Sequence, residues 1–91
     1  MGKCLDSEKL HIRLNKIAGQ INAIQKMIDD DVPCEKILIQ VHAVKDALHR
    51  VGAIILEGHL HHCVREGIEN GDAEETLANF SKALEHFTRL S

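Results

Sequence analysis

The sequence contains neither tryptophan nor tyrosine, and only two phenylalanines and one proline among its 91 residues. So few aromatic residues argue against a β-sandwich core, and so few chain breakers suit helices. No apolar run approaches the roughly 20 residues that a membrane-spanning helix needs, and no signal-peptide pattern is present. Three cysteines are too few, and of the wrong parity, for a disulfide framework. That usage predicts a cytoplasmic protein with reduced thiols and no membrane association. A net charge of −3 excludes a molecule that is basic throughout, so any contact with nucleic acid must come from a local patch. A chain this short makes one domain, residues 1–91, with a small core for which oligomerisation is a natural remedy.

Helical periodicity fills the chain. Leu10, Leu14, Ile17, Ile21, Ile24 and Ile28 recur at alternating steps of four and three, the pattern of a helix packed in a bundle. Asp6 or Ser7 is placed to cap this helix, and Pro33 requires it to end near Asp29-Asp30-Asp31. Asp31 is expected to cap a second helix that carries Val32 and Pro33 in its first turn. Ile37, Val41, Val44, Leu48, Val51 and Ile55 continue the stripe, and no stop signal arrives before Gly67 or Glu69-Asn70-Gly71. Gly52 and Gly58 weaken this long rod by about 1 kcal/mol each. They are tolerated as they stand, or they mark a close approach by a neighbouring helix or ion. Asp72 and Glu75 form a capping-box-like start for a third helix with Leu77, Phe80, Leu84 and Phe87 on its apolar stripe. The expectation is an all-α, three-helix chain with a long central rod.

The chemistry concentrates in Glu57-Gly58-His59-Leu60-His61-His62-Cys63-Val64, read with Cys34. His59 and Cys63 are four residues apart and share a helical face, as two metal ligands require. Cys34 precedes His59 by 25 positions, nearly a whole number of turns. On one continuous helix, however, that interval is about 37 Å at 1.5 Å per residue, far beyond a shared coordination sphere. Either the helix is broken between them, or Cys34 of one chain meets His59 and Cys63 of another. An antiparallel pair of rods would create two such sites related by a twofold axis. A Cys2His donor set suits Cu(I), Zn(II) or Ni(II) better than magnesium or calcium. Three donors fit trigonal Cu(I); zinc and nickel call for a further donor, which Cys4, His61, His62 or a terminal amine would have to supply. Singly, a helical cysteine is usually a small buried hydrophobe; three such residues in phase favour metal. An enzyme using a Cys/His pair would also need an orienting group and an oxyanion pocket. Neither is visible, so no catalytic activity is expected.

Lys9, Arg13 and Lys16 line one face of the first helix. From Lys3 to Ile28 there are five basic residues against two acidic ones, whereas Glu66 to Glu85 is strongly acidic. Arg50 and Lys45 extend the basic face if a bundle brings the two helices together. Alone, such a stripe is commonly a solvated surface; repeated across an oligomer, it becomes a DNA footprint.

These residues resemble the CsoR/RcnR family of metal-responsive transcriptional repressors. The likeness covers nearly the whole chain, from Arg13-Leu14-Asn15-Lys16-Ile17-Ala18-Gly19-Gln20, through Cys34 and Gln40-Val41-His42-Ala43-Val44, to His59-Leu60-His61-His62-Cys63-Val64. It implies an antiparallel dimer, a tetramer of two dimers, and an intersubunit site of Cys34 from one protomer with His59 and Cys63 from its partner. The Cys-His-Cys set resembles the Cu(I) sensors. Cobalt and nickel sensors of the family carry histidine at the last position and add an N-terminal one, although one nickel-sensing branch keeps a terminal cysteine. Family members that sense persulfides or formaldehyde depart further, since His59 is present here and Gly2 falls near the N-terminal ligand position. The family's basic residues correspond to Arg13, Lys16 and Arg50, with Lys9 nearby. Copper sensors commonly place a tyrosine before the first cysteine and a glutamate early in the third helix; this chain has Pro33 and Asn79. The resemblance implies a homotetrameric repressor that binds double-stranded operator DNA without metal and is released by Cu(I). The alternatives are Ni(II), Co(II) or Zn(II) as effector, a thiol-based sensor, and a copper buffer that does not bind DNA.

Overall fold

The computed structural model describes residues 5–90. The elements are α1 (Ser7–Asp29), α2 (Cys34–Gly58), a π-helical segment (His59–Val64), α3 (Arg65–Glu69) and α4 (Ala73–Thr88). There is no strand among the described residues, so the all-α expectation holds. Where one long helix was anticipated, α2, the π segment and α3 follow one another along the chain without an intervening turn. No helix among the described residues is long and apolar enough to cross a membrane.

The described chain falls into two compact units, residues 8–51 and residues 52–90 with 5–7. In the first, α1 buries Leu10 and Ile17, and α2 buries Val44 and Val51. Alternate members of each apolar stripe remain open: Leu14, Ile21 and Ile28 are 39–57% exposed, and Val41, Leu48 and Ile55 are 40–45% exposed. The heptad pattern is thus only half used within one chain.

In the second unit α4 runs antiparallel to the stretch before it. A Cβ at Gly52 would come within 2.8 Å of Leu90 Cδ1 and 3.4 Å of Phe87 Cδ1, and one at Gly67 would collide with Thr76. The close-approach reading of Gly52 is therefore the correct one, the neighbours being Phe87 of α4 and Leu90 just past its end.

Two turns share one design. Val32 donates its backbone N–H to Met27 O (3.1 Å) and Asp31 to Ile28 O (3.3 Å). After α3, Asp72 donates to Gly67 O (2.9 Å) and Gly71 to Ile68 O (3.2 Å). Each is the paired hydrogen bond of a Schellman stop, which needs a left-handed residue at its centre. Gly71 fills that place with φ 87° and Asp31 with φ 54°. Asp31 therefore terminates α1 instead of capping α2, and Val32 and Pro33 precede the helix. The first backbone bonds of α2 run from Lys36 and Ile37 to Pro33 O. Asp72 likewise makes no side-chain cap; its carbonyl accepts from Thr76 N–H at 2.9 Å.

Asp31 carries a Cβ in a conformation that L residues avoid, and it closes a run of three aspartates at the negative end of a helix. Asp31→Gly is expected to stabilise the fold by about 0.5–1 kcal/mol, whereas Gly71→Ala costs about the same. Thermal melts at matched protein concentration distinguish the two; a D31G variant melting below the parent would contradict the account.

Candidate functional site

The two downstream candidate ligands sit on the π segment. Widening the ladder from i→i+4 to i→i+5 is rare and is commonly found at functional sites. It begins directly after Gly58, with no side-chain cap, and returns to α geometry at Arg65. His59 and Cys63 are both half-buried and face the same two cavities. One cavity, of about 700 Å³, is polar and includes His61, His62, Glu66, Glu69, Asp72 and Glu75 in its wall. The other, of about 590 Å³, is walled mainly by Gly52, Ile55, Leu56, Ala83, Phe87 and Leu90. Asn79 lines both. It therefore stands beside the candidate ligands, where a glutamate was expected by resemblance, and it offers an amide instead of a carboxylate.

His59 stacks on Phe80, with ring centroids 6.0 Å apart and planes inclined by 15°. Phe80 was legible in the sequence only as part of the α4 apolar stripe. His86, which carried no pattern there, shares the apolar cavity with His59 and Cys63. His61 and His62 are exposed on the rim of the polar cavity, beside an Arg65 Nε to Glu69 Oε1 ion pair of 3.2 Å.

Cys34 is the first residue of α2 and is a free, exposed cysteine. Cys63 is disulfide-bonded, unlike the reduced thiol expected of the sequence, so it can ligate a metal only after reduction. Cys4 lies outside the described residues. Among the described residues no three His, Cys, Asp or Glu side chains of one chain converge as a metal site. The donors' chemistry nevertheless suits a thiophilic ion: two cysteine sulfurs once reduced and one imidazole.

The basic candidates occupy α1. Lys9, Arg13 and Lys16 line a cavity of about 540 Å³ together with Gln20 and, from α2, Ala47. All three cations are exposed. Arg50 is exposed on α2 but does not line that cavity. Gln20, absent from the charge pattern, lies two helical steps beyond Arg13 and adds an amide to the cationic wall.

A family model described as metal-sensitive transcriptional repressor matches residues 6–86. The copper-sensing transcriptional repressor CsoR of Bacillus subtilis is 36% identical over 84 residues, covering 92% of this chain and 83% of its own length. Among solved structures, the copper-sensing repressor CsoR with Cu(I) from Geobacillus thermodenitrificans aligns with a TM-score of 0.84 and 37% identity, over 89% of this chain and 84% of that one. The nickel-responsive transcriptional regulator InrS aligns with a TM-score of 0.81 and 39% identity, over 88% and 90% of the two chains.

Proposed function

This chain belongs to the metal-sensitive transcriptional repressor family, and from that premise we propose that it is a Cu(I)-responsive repressor whose site is completed between subunits. The observation that carries the reading is the continuity of α2. Its 25 residues run unbroken from Cys34 to Gly58, and such a helix is about 37 Å long. Cys34 at its start and His59 just past its end are not donors to one ion within one chain. A second, antiparallel copy supplies the missing sulfur, so that Cys34 of one protomer joins His59 and Cys63 of the other. The half-exposed apolar stripes of α1 and α2 are the surfaces that such copies would cover, and pairing of dimers makes the homotetramer.

In this reading residues 1–91 act as one metal-sensing and DNA-binding domain. Lys9, Arg13 and Lys16, with Arg50 further along, contact the phosphates of double-stranded operator DNA. Metal-free protein holds the DNA; Cys34 of one protomer with His59 and Cys63 of the other would hold Cu(I), and its binding would favour a conformation with lower DNA affinity. Coupling of about 1–3 kcal/mol changes that affinity roughly 5–150-fold, and by reciprocity DNA weakens Cu(I) binding by the same factor. A nickel response is the second reading. It is favoured by the likeness to InrS and by His61 and His62 beside Cys63, since nickel takes four or more donors.

An anaerobic titration of reduced protein on a fragment of its own promoter tests the proposal. Cu(I) at one equivalent per chain is expected to dissociate the complex, with Ni(II), Co(II) and Zn(II) leaving it in place. Dissociation by Ni(II) alone transfers the assignment to nickel. A complex indifferent to all four metals rejects metal sensing, and the absence of any complex leaves a copper buffer as the better description.

A further inference from the structure

Among the described residues, the His59 ring has its aromatic contact with Phe80. Its imidazole lies nearly parallel to the Phe80 ring at a centroid separation of 6.0 Å, an offset-stacked arrangement. Neither of its nitrogens hydrogen-bonds to another described residue. A ligating histidine ordinarily has its second nitrogen fixed by a carboxylate or carbonyl, which sets the ring orientation. Here the orienting contact comes from the ring face.

The partner ring belongs to a helix that approaches the preceding stretch closely at two points. On one side of the stack, Gly52 lets Phe87 and Leu90 approach closely; on the other, Gly67 lets Thr76 do the same. These close approaches flank Phe80 in the sequence, Thr76 before it and Phe87 after it on α4. We infer that Phe80 is a positioning residue for the metal site. It fixes the His59 ring edge-on to an incoming ion before the ion arrives, and it joins that ligand to α4. The inference rests on His59 being a ligand, as proposed above. Preorganisation of this kind lowers the ordering cost of binding.

The experiment combines two readouts on reduced protein. Without metal, NMR of the parent is expected to show NOEs between the His59 and Phe80 ring protons. With metal, Cu(I) affinity is measured by competition with a chromophoric Cu(I) chelator for the parent and for the Phe80→Leu, Phe80→Tyr and His59→Ala variants. Leucine keeps the apolar bulk and loses the stack; tyrosine keeps the stack. We expect F80L to bind about two- to tenfold more weakly, the range set by the strength of an aromatic pair, and F80Y to match the parent. Equal affinity of F80L and parent, or equal weakening in F80L and F80Y, overturns the positioning role. Should H59A bind Cu(I) like the parent, the ligand assignment itself falls and the inference falls with it; the NOEs separate that outcome from a misplaced ring.

Discussion

Cys34→Ser is expected to abolish the response to Cu(I) while leaving the metal-free protein's affinity for its operator unchanged. The residue is exposed and its thiol is free, so serine in its place creates no cavity and disturbs no packing. What it removes is a soft thiolate, for which a hydroxyl is a poor substitute on Cu(I). Loss of outer-shell partners alone costs about 10–100-fold in metal affinity; loss of one of three ligands should exceed the upper end of that range. A titration of Cu(I) against operator complex should therefore show no release at the concentration that dissociates the parent.

The same variant also tests whether the site is shared. In subunits carrying Cys34→Ser, His59 and Cys63 are intact; in subunits carrying Cys63→Ser, Cys34 is intact. Neither alone assembles a complete site. If donors come from two chains, unfolding and remixing the two variants restores one complete site in each mixed dimer, about one per four chains for statistical pairing. If all donors came from one chain, mixing would restore none. Recovery of high-affinity Cu(I) binding on mixing is the expected result, and its absence would falsify the intersubunit arrangement. The disulfide at Cys63 makes prior reduction a condition of the test.

The helices were legible because burial repeats with the helical period: Leu10 and Ile17, then Val44 and Val51, fall on the anticipated stripes and are buried. Helix ends were less so. Asp31 reads as an N-cap from its residue type, yet it occupies the left-handed position of a Schellman stop. The next turn resolves the same geometry with Gly71, and only backbone hydrogen bonding distinguishes the two uses of an aspartate before a helix. The π segment was invisible for a related reason. A step of four residues returns to nearly the same face whether the ladder closes at i+4 or i+5, so the His59/Cys63 spacing fits both.

The candidate site was legible in its donors and opaque in its surroundings. His59 and Cys63 announce themselves by residue type and spacing, as thiolate and imidazole chemistry requires. Phe80 does not, because an aromatic residue on an apolar stripe looks the same whether it fills a core or stacks on a ligand. Asn79 was placed by resemblance, and it lines both cavities together with His59 and Cys63. Gln20 joined the basic face only through the cavity wall, which runs past Lys16 along α1.

Joint replacement of Lys9, Arg13 and Lys16 by alanine is expected to weaken operator binding by at least several hundredfold at about 0.1 M salt, with Cu(I) affinity untouched. Each phosphate contact contributes about 0.9 to the slope of log affinity against log salt. Deleting all three cations therefore flattens that slope by about 2.7 for each protomer that contacts the DNA. Relative to a 1 M reference, where the ionic contribution vanishes, this is a factor of about 10^2.7 at 0.1 M per contacting protomer. The three cations are exposed and share one cavity wall, so their removal leaves the buried Leu10 and Ile17 in place and the helix intact. Arg50→Ala serves as the comparison: it lies off that wall, and as a phosphate contact it should flatten the slope by only about 0.9 for each contacting protomer. Salt titrations of fluorescently labelled operator, run on variants with matching circular dichroism, read both slopes. A triple variant whose slope equals the parent's would place the DNA on another face of the molecule, since neutralising a contacting cation must release fewer counterions whatever the operator sequence.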